Sequence, residues 1–535
     1  MNVRVFVFIV FLMNIIQGIY TPIIDDEAYY WLWSTKLDFG YFDHPPMIAL
    51  WVKMSDFIFN NEIGARFFTI FFNTIAALIY WKLADPKSKK EQLIFSIIYF
   101  SLILVQIFSF VSTPDAPLLF FTIAYLASLK AYLKKDSILN TLLLGSCFAG
   151  LMYSKYHGIL VLAFTLLPII GFWIKKPTFY VATFWSLVLY SPHFVWLFQN
   201  DFPPVAYHFV DRSAEQKFSL LQPLVYIVTA ALAGVGLLVF YIAHAIKSVN
   251  QKNLFQKSVF WLVIGPFLFF LISTIKDTTQ AQWLLVSYVG LGLILYWYFI
   301  KLDKLKWFYY LGVTNIILIV IARIVIMIPS ISPLYETKLF GERAGELTST
   351  EVVAFEKYQE ASIFQFYNQD RQGIVYRTLG NRNSQFSLWD TESLLENEFT
   401  YVSPWLHSEV SFEGIKKKEY FVTSFKGIVP IQKVEGDFSL INNEEVDNQI
   451  IDIVQGSSNS IAIQISELDS ELLKSNQVKL DLYCTKETQF NIIEQLEIPM
   501  DQMILNDNQI QLNFNWSTNL EPGEYSLYIG ATPAG

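Results

Sequence analysis

Acids placed where an apolar segment meets water, followed at once by large aromatic rings, supply both a proton acceptor and a surface for a polar ring. The segment DDEAYYWLWSTKLDFGYFDHPP at positions 25–46 has this make-up. Asp25, Asp26 and Glu27 stand in a row directly after the first hydrophobic run. Tyr29, Tyr30, Trp31 and Trp33 follow, and Asp43, His44, Pro45 and Pro46 close the stretch. Carboxylates at a membrane surface lose hydration and are costly unless partnered or used. A hydroxyl is a poor nucleophile at neutral pH, and a carboxylate within hydrogen-bond reach can take its proton as it attacks. Asp26 and Glu27 are the candidates for that base. The alternative is an acid pair capping a helix at the interface.

Two short turns add charge. Asp115 sits in STPDAP (112–117), as a second carboxylate or as the cap of the following helix. Lys155 sits in YSKYHG (153–158), either snorkelling to headgroups or meeting a phosphate. Arg66, Lys155 and Arg212, with His157, form a cation set able to neutralise a phosphate whose charge grows as it leaves. Arg66 lies just inside an apolar run, so a partner is expected for it, an acid of the first loop or a lipid phosphate. The stretch 191–212 mixes aromatics with His193, His208 and Arg212 and suits a lid, and TTQAQW follows Asp277 and ends at Trp283. The candidate substrate contacts are Asp25, Tyr29, Tyr30, Trp33, Asp43, His44, His157, His208 and Trp283.

The elements that position these residues are membrane helices. The chain of 535 residues is 53% hydrophobic and 17% aromatic, with 16% charged residues where globular proteins carry about 25%. Apolar runs near 3–20, 62–81, 92–110, 115–133, 138–153, 158–173, 178–198, 220–246, 258–274, 281–299 and 307–328 give about eleven spans. The first is read as an uncleaved helix, because GIYTPIIDDE after it lacks a small-residue cleavage signal. Five alternate loops are basic: Lys82, Lys87, Lys89 and Lys90; Lys130, Lys134 and Lys135; Lys175 and Lys176; Lys247, Lys252 and Lys257; Lys301, Lys304 and Lys306. Basic loops face the cytoplasm. The N-terminus is then cytoplasmic, and every residue singled out above falls on the outer face.

Within the first outer loop (21–61), positions 45–60 are amphipathic and suit a helix in the membrane plane, with Met47, Ile48, Leu50, Trp51, Met54, Phe57 and Ile58 on its apolar stripe. After residue 335 the chain reads as soluble protein. A segment at 336–400 mixes strands such as GIVYRTL with a helix candidate, Thr350 followed by EVVAFEKYQEA. Residues 401–535 alternate apolar and polar, as at Ile461, Ile463 and Ile465, Val478, Leu480 and Leu482, and Ile510, Leu512, Phe514 and Trp516, which implies antiparallel strands in a sandwich. The net charge of −9 and the lack of a basic patch argue against nucleic acid as a partner. Cys147 and Cys484 fall in different regions and form no metal motif.

The segments DEAYYWLW (26–33), GYFDHPP (40–46), TPDAPL (113–118), SKYHG (154–158), Ser191-Pro192 with Trp196 and Asn200, and Gln282-Trp283, in this order, resemble the bacterial protein-mannosyltransferase and aminoarabinose-transferase type, glycosyltransferase family 39 and its relatives of the GT-C fold. FQFYNQ and GNRNSQFSLWD (380–390) resemble the outer domain of bacterial members. The resemblance implies a polytopic GT-C membrane enzyme in the cytoplasmic (inner) membrane. It would use a polyprenyl-phosphate sugar at the outer face, with the lipid bilayer as its setting and a glycolipid, polysaccharide or protein as acceptor. Asp26 then matches the acid of the family's first motif, Asp115 that of the second outer turn, and Lys155 a basic residue at the donor phosphate. Gln282 departs from the histidine often found before the late tryptophan, and Asp25 leaves open which carboxylate is the base. No cofactor is implied with certainty. A divalent cation is compatible with the adjacent acids, without a His/Cys ligand set. The rival readings are a flippase of lipid-linked sugars, which would keep charges near mid-membrane, and a sugar-polymer ligase, which would carry its large outer loop later.

Overall fold

The computed structural model describes residues 1–206, 221–275, 279–376, 383–389, 391–404 and 408–426, together with the strands between 438 and 533. The chain divides into two compact units, Met1–Tyr335 and Glu336–Gly535.

The first unit is helical. It opens with α1 (Val3–Tyr20), α2 (Asp25–Thr35), α3 (Met47–Asp56), α4 (Asn61–Ala84), α5 (Lys89–Ser101), α6 (Ile103–Phe108), α7 (Asp115–Lys134), α8 (Ile138–Ser154) and α9 (Gly158–Leu166). It continues with α10 (Pro177–Gln199), α11 (Leu221–Val235), α12 (Ile242–Lys247), α13 (Leu254–Ser273), α14 (Leu285–Phe299) and α15 (Lys306–Val325). Among the described residues eight helices are long and apolar enough to cross a membrane, and Ile138–Ser154 and Gly158–Trp173 are shorter apolar helices. Large side chains such as Phe8, Phe184, Phe198, Phe240 and Ile272 are exposed on these helices. An apolar outer surface of this kind belongs in lipid, and the protein is a multi-pass membrane protein.

Among the described residues two spans have breaks whose backbone groups are met by amide side chains. The run 92–110, expected as one span, parts at Leu102, which has φ −78° and ψ 90° between α5 and α6. Gln106 donates to the Tyr99 carbonyl at 3.0 Å and Asn315 of α15 to the Ser101 carbonyl at 3.3 Å. In lipid an unmet carbonyl costs several kcal/mol, so these amides make the break tolerable. The second break is at Gly236, whose φ of +52° favours glycine, and a Cβ there would meet Asn315 Oδ1 at 2.0 Å. Asn315 also donates to the Val235 carbonyl at 3.3 Å.

The first loop is built of two helices. The amphipathic stretch forms α3, but the expected stripe is only partly covered: Ile48 and Trp51 are buried, whereas Leu50, Phe57 and Ile58 are exposed. The aromatic run forms α2 rather than open chain. Its rings make a core of their own, with Trp33 stacked on Tyr41 at 4.4 Å and edge-on to Tyr29 and Tyr30 at 5.0 and 4.8 Å.

The second unit begins with a five-stranded sheet of β1 (Val352–Phe355), β2 (Gln372–Val375), β3 (Phe399–Ser403), β4 (Ser411–Glu413) and β5 (Glu419–Phe425), in the order β2-β1-β3-β5-β4. β1 pairs in parallel with β2 and β3, and β5 is antiparallel to both its neighbours. The helix Tyr358–Tyr367 supplies the crossover that the β1–β2 parallel pair needs. The helix expected from Glu351 therefore starts later. VVAF is a fully buried strand, and Thr350 donates to the Val352 carbonyl at 2.7 Å instead of capping a helix. β-Branched residues buried on both faces prefer this state.

Farther on, β6 (Phe438–Leu440), β7 (Asn459–Ser466), β10 (Met503–Asn506) and β11 (Gln509–Trp516) form a four-stranded antiparallel sheet. A three-stranded antiparallel sheet holds β8 (Val478–Thr485), β9 (Ile492–Ile498) and β12 (Ser526–Pro533).

Candidate active site

Helix α2 starts on its acids. Negative charge in a first helical turn is favourable against the helix dipole. Each of the three acids has a different fate. Asp25 is exposed and accepts from the Asp26 amide at 2.9 Å. Asp26 is exposed on the wall of a cavity of about 540 Å³. Glu27 turns inward and is wholly buried.

Glu27 is closed off by Arg66 of α4. Arg66 Nε donates to Glu27 Oε1 at 2.8 Å and Nη2 to Glu27 Oε2. The remaining guanidinium hydrogens go to the carbonyls of Gly18, Thr21 and Pro22 at 3.4, 2.6 and 2.9 Å. A guanidinium has five N–H donors, and here all five have protein acceptors. Glu27 accepts in addition from the Ser112 amide at 2.7 Å and the Ile24 amide at 3.3 Å. This corrects two expectations. Glu27 is not placed as a free base and Arg66 is not placed as a phosphate ligand, although Arg66 does border the cavity. The pair ties α1, α2, α4 and the turn before α7 together.

The second pair is different. Lys155 Nζ donates to both oxygens of Asp115, at 3.0 and 2.9 Å, and each side chain keeps 7% exposure on the cavity wall. An ammonium has three donors, and among the described residues the third N–H of Lys155 has no protein acceptor. Thr113 Oγ1, on the same wall, is buried without a partner among the described residues.

Tyr30, His44, Gln106, Gln280, Gln282 and Arg323 also face this cavity, together with apolar residues of α6 and α15: Ile103, Leu104, Ile107, Ile319, Ala322 and Ile326. Several expected contacts stand outside its walls. Tyr29 is buried and donates to Asp43 Oδ2 at 3.1 Å, and Trp33 lies in the core of the first loop. His157 packs on Phe270 and Trp283 at 5.5 and 5.4 Å, and at position 282–283 it is Gln282 that reaches the cavity. His208 and Arg212, like Asp277, lie outside the described residues. Among the described residues no group of three or more His, Cys, Asp or Glu side chains is arranged to hold a metal.

A strap between the first loop and the turn bearing Lys155 escaped the sequence reading. Trp196 of α10 donates to Asp38 Oδ2 at 2.8 Å, and His193 joins the Phe39 carbonyl at 2.6 Å to the Tyr156 hydroxyl at 3.0 Å. A Cβ on Gly40 would lie 2.2 Å from the Trp196 ring, so the loop needs glycine for this approach. Tyr156 adjoins Lys155, so α10 links the first loop to the turn bearing the second ion pair. Burial pushes the Tyr41 and Tyr156 hydroxyls above the ordinary phenol range, which keeps both neutral. The signal available was the motif Ser191-Pro192-His193 with Trp196; its partner Asp38 carries no mark in sequence.

Residues 43–196 match the family model described as dolichyl-phosphate-mannose-protein mannosyltransferase. The lipid A galacturonosyltransferase RgtD of Rhizobium johnstonii is 26% identical over 297 residues, which is 53% of this chain and 61% of that protein. The chain thus matches about three fifths of that relative's length. The crystal structure of ArnT from Cupriavidus metallidurans in the apo state superposes with a TM-score of 0.60 at 12% identity, covering 79% of this chain and 97% of that one. The same protein bound to undecaprenyl phosphate gives 0.57 at 11% identity over the same shares. The likeness to ArnT over 79% of the chain, with eight helices among the described residues long and apolar enough to cross a membrane, makes this a multi-pass membrane protein of the GT-C fold.

Proposed function

We propose that the chain transfers a sugar from a polyprenyl-phosphate donor to an acceptor at the outer face of the cytoplasmic membrane. The observation that carries this reading is one cavity lined by two carboxylates from different elements, Asp26 and Asp115, by the ammonium of Lys155, and by an apolar wall from α6 and α15. Attack by an acceptor hydroxyl on the anomeric carbon needs a base on the acceptor side and positive charge at the leaving phosphate. Asp26, unburied and on the wall, is the base of this proposal. Lys155 meets the phosphate with its third N–H, and Asp115 fixes Lys155 in place. The apolar wall accepts the first isoprene units. The match to RgtD and the likeness to ArnT with undecaprenyl phosphate support a lipid-linked donor. The acceptor belongs to the class of glycolipids, polysaccharides or proteins. Five successive basic loops support a cytoplasmic N-terminus, with the second unit outside. The second unit, an α/β segment followed by strands, is proposed to meet the acceptor.

The test is transfer from a labelled polyprenyl-phosphate sugar panel into membrane acceptors. Asp26→Asn should lower transfer by about 10²–10⁴-fold at equal levels of folded protein, the usual range for a general base. Undiminished transfer by that variant would move the base to Asp25 or Asp115. A wild-type protein that transfers nothing from any donor would end the reading.

A further inference from the structure

Among the described residues three cations face the cavity: Arg66, Lys155 and Arg323. Arg66 and Lys155 each have a carboxylate at hydrogen-bond distance. Arg323 has none. It sits in the last turn of α15 with 8% exposure and donates to Gln17 Oε1 at 3.1 Å, Gln106 Oε1 at 3.4 Å and Asn14 Oδ1 at 2.7 Å. Its guanidinium lies 5.0 Å from the centre of the Phe110 ring. Every one of these partners is neutral. Among the described residues three of the five N–H groups find a protein acceptor, and two do not.

The bland account is a structural arginine stitching α1, α6 and α15 together near a helix C-terminus, where a cation is welcome. Arg66 shows what a purely structural arginine looks like in this protein, with five acceptors and a cancelled charge. At Arg323 two helices contribute amides that fix the plane of the guanidinium and leave its charge intact. A full charge inside a membrane helix is costly and calls for an anion. Ile319, Ala322, Arg323 and Ile326 follow the i, i+3, i+4, i+7 pattern, so the cation lies on the same stripe of α15 as the apolar wall.

We propose that Arg323 is a phosphate-binding residue of the cavity, and that its ligand is the phosphate ester of a long-chain lipid whose chain lies against Ile319, Ile326 and Ile107. The apolar stripe selects an anion attached to hydrocarbon over a soluble one. The two spare N–H groups suit the paired oxygens of a phosphate. Arg323 thereby adds the uncancelled positive charge that Lys155, paired with Asp115, does not provide. The inference deepens the transfer reading and rests on it only for the polyprenyl identity of the lipid. A membrane phospholipid offers the same chemistry.

The full chain in phosphatidylcholine nanodiscs would be titrated with polyprenyl phosphate, with polyprenol of equal length and with phosphatidylglycerol, and binding read by native mass spectrometry. Wild type should prefer polyprenyl phosphate over polyprenol by about tenfold or more, as expected for a charge-assisted bidentate contact. Arg323→Gln should abolish that preference while binding polyprenol as before, and Arg323→Lys should keep part of it. Should Arg323→Gln fail to fold, photo-crosslinking of wild type with a diazirine-bearing polyprenyl phosphate decides. Adducts on Ile103–Ile107 and Ile319–Ile326 support the proposal, and adducts confined elsewhere overturn it. A folded Arg323→Gln with the wild-type preference also overturns it. Arg323-dependent binding of phosphatidylglycerol in place of polyprenyl phosphate assigns the site to bilayer lipid. Arg323-dependent phosphate binding without sugar transfer sinks the transfer reading and leaves this one standing.

Discussion

Two buried ion pairs, both between an acid at a helix start and a cation from a neighbouring element, have opposite characters in this protein. Glu27–Arg66 is wholly buried, and all five guanidinium hydrogens are taken. Asp115–Lys155 stands on a cavity wall with a donor in reserve. Charge alone does not separate them. What separates them is the balance of donors and acceptors: a guanidinium saturated by protein holds the fold together, and an ammonium one bond short can hold something else. Both pairs are joined through the turn before α7, since Ser112 donates its amide to Glu27 three residues before Asp115.

The sharpest way to break this comparison is to remove one member of the closed pair. Glu27→Gln should cost about 3–5 kcal/mol of stability by stranding Arg66 in the interior, read as lost folded protein in thermal unfolding. Replacing both, as Glu27→Leu with Arg66→Met, should recover much of it. A Glu27→Gln protein of full stability but without transfer would reverse the roles of the two pairs. Next in size, Asp115→Asn should leave a folded protein whose transfer falls by about 10²-fold, because Lys155 loses its anchor as well as its partner. A large loss of stability with normal turnover of the surviving protein would put this pair in the same class as the first.

Much of this was open to a reader of the sequence, and the parts that were not share one cause. The acids of the first loop, the Asp115 and Lys155 turns and the basic loops are marked by residue type against an apolar background, so composition exposes them. Arg66 also announced its need of a partner, and Glu27 supplies it. Which acid would turn inward is a matter of helical phase: once α2 begins at Asp25, its third residue can reach back to the Ile24 amide and across to Arg66. The break at Leu102 is silent in sequence because SLILVQIF contains neither proline nor glycine, and the amide that satisfies Ser101 comes from position 315. Arg323 lay in view within LIVIARIVIM, an arginine in an apolar run, but its meaning depends on which partners it lacks. In EVVAFEKYQEA the local helix formers were outweighed at VVAF by pairing with two strands that come later in the chain.

Two smaller experiments sharpen the contrast. Trp196→Phe removes the indole N–H bond to Asp38 and should cost about 1–2 kcal/mol, with looser coupling of the first loop read as a raised KM for the donor more than a lowered kcat. An unchanged KM would confine the strap to stability. The mildest effect concerns a buried acid that forms no ion pair among the described residues. Glu360, in the second unit, accepts a hydrogen bond from Tyr420 at 2.9 Å, and burial holds its carboxyl above the usual range against the opposing pull of Lys357. A carboxyl whose folded pKa exceeds the unfolded value, about 4.3, favours the folded state at low pH. That contribution declines as pH rises from the unfolded value through the raised folded one. Glu360→Gln should therefore flatten the decline in stability of the full chain above about pH 4.3. An unaltered pH profile in the variant would show that Glu360 is ionised in the folded protein.

The amide of Asn315 that completes the break after Ser101 lies 214 residues farther along the chain. At a synthesis rate of about 5–20 residues per second that separation amounts to roughly 10–40 s. Throughout this interval the first spans are already threaded into the bilayer with the Ser101 carbonyl unanswered, so the nascent protein must shelter that gap beside the insertion machinery or keep it near the water boundary. The last long helix thus works as a latch, and truncation before it should leave an early portion that inserts yet remains open to degradation.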